Sequence, residues 1–294
     1  MKVALVGLGN MGTAIAQRIL CAGHDLTVWN RTASKAQAVV EQGAKASGTA
    51  RECVSGAEVV VTSLIDDKSV LDAVRSADGI LAGMDAGAVH LCVMTISPNC
   101  AEELAALHEA RGTHYVSGPV VGRPDAAAGG QLASFLAGPA DAIKTVTPVC
   151  EAYSSRIVAL SQRPSVANCM KLAINYNVAS TIELIGETYV FAEKSGIPLE
   201  LVRDFYRQMW FAHPAAKMYA EKLRQRDFAG RGGFTMTGGL KDLRLMLSAA
   251  ADVGAPLEIG AIVARKLSEG VDRGMAETDW SALYEISRRE AGLS

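Results

Sequence analysis

Two hydrophobic rhythms divide this chain. In its first half, short apolar runs alternate with helical patterns. Lys2-Val3-Ala4-Leu5-Val6 reads as a buried strand, and apolar positions recur at helical spacing from there to Leu20. Leu26–Trp29, Val59–Thr62 and Val89–Val93 read as further strands. Pro98 opens a helix over about 99–111, and Tyr115-Val116, Ala133–Leu136 and Ile157–Leu160 complete the set. Such alternation predicts an α/β fold, a parallel sheet covered on both faces with its sites at the carboxyl ends of the strands.

The rhythm changes near Pro164. One helical pattern fills 165–195, with Pro164 suited to its first turn and Gly196 and Pro198 as stops. Only helical patterns follow, at about 199–209, 215–223, 238–252, 256–269 and 280–292. The domains read as 1–163 (α/β) and 164–294 (all-helical, including the long helix). Ala167, Ala173 and Ala179 would admit another helix closely. The long helix has several apolar faces, so burial against a partner subunit in a homodimer is expected; packing within one chain is the alternative.

Composition narrows the classes. Hydrophobic residues make up 49% and charged residues 20% of 294, enough for two domains and a large core. A formal net charge of −2 argues against a nucleic-acid surface and against polybasic membrane docking. No apolar run has membrane-spanning length. The N-terminus superficially resembles a signal peptide, but Gly9, Asn10, Gln17 and Arg18 break that pattern. The six cysteines form no CxxC pair, so buried, reduced thiols in a cytoplasmic protein are expected. The five histidines show no metal-ligand spacing, and no metal is expected.

The first strand runs into Gly7-Leu8-Gly9-Asn10-Met11-Gly12, between strand and helix as a dinucleotide fingerprint requires. Gly7 permits the tight turn, Gly9 lets backbone approach a pyrophosphate, and Gly12 lets helix and strand pack closely. The pyrophosphate would rest on the N–H groups that open the helix, near Asn10 and Met11. The second strand ends in Asn30-Arg31-Thr32, where an NAD site usually carries an acid for the ribose 2′-OH. A guanidinium pairs with a 2′-phosphate, so NADP(H) is the expected cofactor. The alternative leaves Arg31 as a solvated charge and Thr32 as a helix cap.

Two polar pairs interrupt apolar stripes. Lys171 and Asn175 lie four apart on one face of the long helix. A lysine desolvated there can exchange a proton near neutral pH, with Asn175 orienting it or the substrate oxygen; a snorkelling lysine and a surface asparagine is the alternative. Lys241-Asp242 opens a later helix, where the dipole alone would favour the acid. The functional reading has Lys241 reach the cofactor while Asp242 holds Lys171.

With these residues in view, the chain resembles the β-hydroxyacid dehydrogenase family, which includes 3-hydroxyisobutyrate dehydrogenases and glyoxylate/succinic semialdehyde reductases. The likeness spans nearly the whole length. It rests on the glycine fingerprint, Asn30-Arg31-Thr32, Met94-Thr95-Ile96-Ser97-Pro98, Lys171 with Asn175, and Lys241-Asp242. It implies a Rossmann domain, a long interdomain helix, an all-helical second domain, and hydride transfer from a nicotinamide at a site between the domains. It also implies Lys171 as proton donor to the carbonyl oxygen, Thr95 and Val70 lining the nicotinamide, and Leu64 and Ile65 under the cofactor. Thr95 joins Asn175 in orienting the substrate.

One loop departs from the family. Its usual reading is acidic, small, then Pro-Val-Ser-Gly; this chain has Ser117-Gly118-Pro119-Val120-Val121-Gly122-Arg123-Pro124. Val121 replaces the serine that normally binds a substrate carboxylate. Backbone N–H groups could still hold the anion, Arg123 could hold it, or the substrate could lack it. Valine supplies no hydrogen bond, which favours a less acidic substrate. Val121, Gly122 and Arg123 are therefore candidate substrate residues. Trp210, Phe211, His213 and Tyr219 form an aromatic cluster, read as core or interface, with Trp210 a candidate substrate wall. The loop also faintly resembles imine reductases, whose usual Asp or Tyr is Lys171 here, so imine reduction is the alternative to carbonyl chemistry. A non-catalytic cofactor-binding module is a lesser one.

Overall fold

The computed structural model describes residues 1–294 except Ser195, 211–213, 230–233, Val253, 255–256 and Ser294, and the side chains of Glu187, Phe191, Met209, Trp210 and 214–216. The chain forms two compact units, Met1–Lys171 and Leu172–Ser294.

In the first unit, Lys2–Val6 (β1), Asp25–Trp29 (β2), Lys45–Ala46 (β3), Val59–Thr62 (β4), Val89–Cys92 (β5) and His114–Ser117 (β6) run parallel in the order β3-β2-β1-β4-β5-β6. This is the doubly wound topology, whose strand order reverses between β1 and β4. Beyond β6 the all-parallel expectation fails. Val120–Val121 (β7) pairs antiparallel with Leu132–Ala137 (β8), β8 meets β6 antiparallel, and Ser154–Ser161 (β9) lies parallel to β8. The linkers 118–119 and 122–131 are shorter than the dozen or so residues a parallel crossover needs.

Strand alternation builds two apolar layers. Val3, Leu5, Val59, Val61, Leu91 and Val116 face one layer, with Ile15 and Ile19 of the helix Asn10–Cys21. Ala4, Val6, Val60, Cys92 and Tyr115 face the other, with Val70 and Val74 of Asp67–Arg75 and Leu104 of Pro98–Glu109. Side chains point alternately to opposite faces, so strands covered on both sides are mostly apolar, with Thr62 of β4 and His90 of β5 as buried polar exceptions. All six cysteines are free; Cys53, Cys92, Cys100 and Cys150 are buried, but Cys21 and Cys169 are exposed, against the expectation of buried thiols throughout.

The long helix Ser165–Lys194 opens in the first unit and runs on into the second. Past its end, Gly196 takes φ +72°, and Ile197 N donates to Ala192 O at 2.8 Å, a left-handed helix stop. The helices Leu199–Phe205, Pro214–Gln225, Met236–Asp252, Glu258–Gly270 and Leu283–Glu290 make the second unit. They pack around Ile182, Ile185, Tyr189, Leu223, Leu243, Leu267 and Tyr284. Tyr219 belongs to this core, its hydroxyl accepting from Trp280 Nε1 at 2.8 Å. The Trp210 side chain, Phe211 and His213 lie outside the described residues. Among the described residues no helix is long and apolar enough to cross a membrane.

A polar line crosses the core behind β4 and β5. Thr62 Oγ1 lies 2.9 Å from His90 Nε2, His90 Nδ1 lies 2.8 Å from His108 Nε2, and His108 Nδ1 lies 2.9 Å from Thr113 Oγ1. The Thr113 hydroxyl donates to His108 O, so it accepts from His108 Nδ1–H. The direction then propagates: His90 Nδ1–H donates to His108 Nε2, and Thr62 donates to His90 Nε2. Both imidazoles are neutral in this arrangement. Burial lowers His108 to about 4. Burial, and then the neighbouring His108, hold His90 well below the ordinary imidazole value. Both folded-state values lie beneath the unfolded value of about 6.5, so the stability they contribute is present above that pH and lost as pH falls towards 4. Between pH 7 and 5, His108 alone should cost on the order of 2 kcal/mol of stability. Urea unfolding of wild type and His108→Gln at both pH values measures this. The gap between them should narrow at pH 5; parallel losses would contradict the neutral pair.

Candidate active site

The carboxyl ends of β1 and β4 nearly touch. Gly7 follows β1 with φ +103°, and a side chain there would strike Ser63 O at 2.4 Å. One at Gly12 would strike Gly7 O at 2.0 Å. The protein itself therefore requires these two glycines. Gly9 differs: its backbone is extended at φ −76°, ψ −173°, and a Cβ would meet nothing within 4 Å. Gly9 leaves room for a group the chain does not supply. It caps Asn10–Cys21 with no side-chain bond, and no acid lies in the first turn. The opening N–H groups, those of Asn10 and Met11 among them, have no partner within the helix and carry its positive end. Such a cradle fits a pyrophosphate.

Asn30 shapes this cradle. Its Oδ1 accepts from Leu8 N at 2.9 Å, and its Nδ2 donates to Thr32 O at 2.9 Å. Both ends of the amide thus brace the backbone. Arg31 and Thr32 are exposed beside it. Thr32 precedes the turn Ala33–Ala36 but makes no side-chain cap bond, so capping does not explain this threonine.

After β4, Leu64 packs on the core while Ile65 is 76% exposed, an uncovered apolar side chain at the sheet's carboxyl edge. Val70 is fully buried among core residues, beneath that edge rather than on it. After β5 comes half-buried Thr95. Its segment is clamped by Asp67, whose carboxylate accepts from Ser97 N at 3.0 Å and from the Ser97 hydroxyl at 2.5 Å. The Ser97 oxygen also caps Pro98–Glu109 by accepting from Cys100 N. The serine–proline cap is readable in sequence; its tie to Asp67 is not. In the substrate loop, half-buried Val121 pairs with Ala133 across β7 and β8. Gly122 is exposed at φ +136°, where a Cβ would meet Leu132 Cδ2 at 2.5 Å, and half-buried Arg123 precedes the turn of helix Pro124–Ala128.

The long helix starts on the Glu102 carboxylate, which accepts from Ser165 N at 3.3 Å. Asn168 is buried in its first turn, bonded to Ser117 and to Ile96 O. Sequence reasoning missed it, because an isolated asparagine gives no periodic signal. Lys171 and Asn175 follow, both half-buried, one turn apart. In the second unit, Asn175 Nδ2 donates to Asp242 Oδ2 at 2.5 Å, and Lys241 Nζ lies 2.8 Å from Asp242 Oδ1. Asp242 is 2% exposed, so these two partners satisfy a carboxylate with almost no water.

Residues 2–161 match the NAD binding domain of 6-phosphogluconate dehydrogenase, and residues 166–287 match the NAD-binding region of NADP-dependent 3-hydroxyisobutyrate dehydrogenase. The chain belongs to this family of NAD(P)-binding oxidoreductases. The family resemblance carried by the motifs is thereby the one found. The chain is similar to "Uncharacterized oxidoreductase YfjR" of Bacillus subtilis (strain 168), at 36% identity over 97% of this chain and 99% of that one. It is 26% identical to glyoxylate/succinic semialdehyde reductase 1 of Arabidopsis thaliana, over 97% of this chain and 98% of the other. Among solved structures, 3-hydroxyisobutyrate dehydrogenase of Mycobacterium tuberculosis superimposes with a TM-score of 0.87 at 26% identity, covering 98% and 99% of the two chains. An imine reductase of Streptomyces aurantiacus shares the fold at a TM-score of 0.62 and 24% identity, covering 97% and 99%.

The glycines divide into two kinds, and mutation should separate them. Gly9→Ala should unfold within about 1 kcal/mol of wild type yet bind nicotinamide cofactor at least tenfold more weakly (about 1.4 kcal/mol). Gly12→Ala should lose about 1–3 kcal/mol of stability through forced backbone displacement. Urea unfolding and cofactor fluorescence titration read both, and equal stability losses would contradict the division.

Proposed function

We propose that this oxidoreductase is an NADP(H)-dependent reductase of small carbonyl compounds of the β-hydroxyacid or semialdehyde type, with Lys171 as general acid. The observation that carries this reading is the open cradle at Gly9 beside a strand end holding a cation and no carboxylate. Asn30 is committed to the loop, which leaves Arg31 and Thr32 to meet a 2′-phosphate.

A nicotinamide cofactor held in the Gly9 cradle would supply the hydride for the carbonyl carbon. Lys171 gives a proton to the carbonyl oxygen as negative charge grows there, so the product is an alcohol. Asn175, held by Asp242, and Thr95 on its clamped segment orient the substrate. Leu64 and Ile65, which follow β4 at the sheet's carboxyl edge, support the cofactor. Val121, Gly122 and Arg123 form the substrate wall. Valine in that wall offers no hydrogen bond to a carboxylate, which favours less acidic substrates. The name of the Arabidopsis relative, a glyoxylate/succinic semialdehyde reductase, supports carbonyl reduction. The protein works as a cytoplasmic homodimer joined through its helical unit, where Leu184, Leu201 and Phe205 are exposed.

Lys171→Ala should cut kcat by about 10²–10⁴ while leaving NADPH affinity intact. An unchanged rate would remove the general-acid role. Arg31→Ala should weaken NADPH by about tenfold or more and NADH hardly at all, since a charge-assisted pair is lost only with the 2′-phosphate. Equal losses would mean that Arg31 does not read that phosphate.

A further inference from the structure

We infer that the buried Ser117–Asn168 pair positions the proton donor, an inference that rests on the reading of Lys171 given above. Asn168 precedes Lys171 by three residues, which places both on neighbouring positions of one helix face. Asn168 is 1% exposed and Ser117, the last residue of β6, is fully buried. Asn168 Oδ1 accepts from the Ser117 hydroxyl, and Asn168 Nδ2 donates to Ile96 O at 3.3 Å.

Neither bond serves the helix itself. Its opening is already provided for, since Ser165 N donates to Glu102 and Val166 N and Ala167 N donate to the carbonyls of Arg163 and Pro164. Both amide bonds instead leave the helix for the carboxyl edge of the sheet. Ile96 directly follows Thr95, and Ser97 on its other side is held by Asp67. One amide therefore ties the turn that carries Lys171 to the end of β6 and to the segment that carries Thr95.

An apolar side chain could fill this space without burying an amide. Two bonds of opposite polarity add direction: they fix the helix's rotation as well as its distance from the sheet. Rotation decides where the lysine nitrogen falls, and proton transfer requires it within hydrogen-bond reach of the carbonyl oxygen. Asn168 and Ser117 are positioning residues in this scheme and touch neither substrate nor cofactor.

The test measures kcat, carbonyl KM and NADPH Kd for Asn168→Ala and Ser117→Ala, each alone and combined with Lys171→Ala. Alone, each should lower kcat by about ten- to a hundredfold, the scale of an ångström-sized misplacement. NADPH Kd should stay within about twofold, as expected for an effect on the transition state alone. In the Lys171→Ala background neither should reduce the residual rate further. An unchanged kcat, or an equal loss in both backgrounds, overturns the positioning role. Ser117→Ala removes one hydroxyl and carries the test if Asn168→Ala does not fold. A wild-type rate in Lys171→Ala alone would instead remove the proton-donor reading, so the two failures are distinguishable.

Discussion

Close backbone approach at the carboxyl edge of the sheet is the constraint on which this molecule depends. Gly7, Gly12 and Ser63 bring the ends of β1 and β4 and the start of the first helix together with no room for a side chain. That contact places the helix N-terminus at the point where strand order reverses. Anything bound there meets backbone N–H groups and the positive helix end first. Gly9 keeps this approach open, and Asn30 holds the loop in shape from the neighbouring strand.

Within each unit, polar side chains are used chiefly as braces. Asp67 holds Ser97, Asn168 holds Ile96 and Ser117, and Asp242 holds Asn175 and Lys241. Each is buried or half-buried, where an unpaired polar group would cost about 1–3 kcal/mol. The braces cost little while satisfied and resist displacement because breaking one leaves a desolvated partner. The Thr62–His90–His108–Thr113 line follows the same rule within the core, with neutral imidazoles completing a single direction of donation.

The sequence made legible whatever depends on local period or on a compact motif. Strands β1 and β4 declare themselves by nearly continuous apolar runs, because strands buried on both faces need them, whereas Thr27 in β2 and His90 in β5 interrupt shorter runs that remain readable. The long helix was readable almost to the residue, since proline and glycine bound it. The two-residue strands β3 and β7 carry too little pattern to be seen, and the antiparallel turn of β7 and β8 follows from linker length, not composition. The braces were mostly hidden. Ser117 and Asn168 stand 51 residues apart, and Asp67 and Ser97 stand 30 apart. Asn30 stands out in the sequence at the end of β2, but its attachment to Leu8 N needs the fold.

The most direct test of the account is NADPH oxidation by the purified protein against a short carbonyl panel: glyoxylate, succinic semialdehyde, an uncharged aldehyde, a simple ketone and a cyclic imine. The account expects turnover of carbonyl compounds, with the uncharged aldehyde at least matching the acidic ones because Val121 offers a carboxylate no hydrogen bond. Tight NADPH binding without turnover of any carbonyl, or turnover of the imine alone, would contradict it.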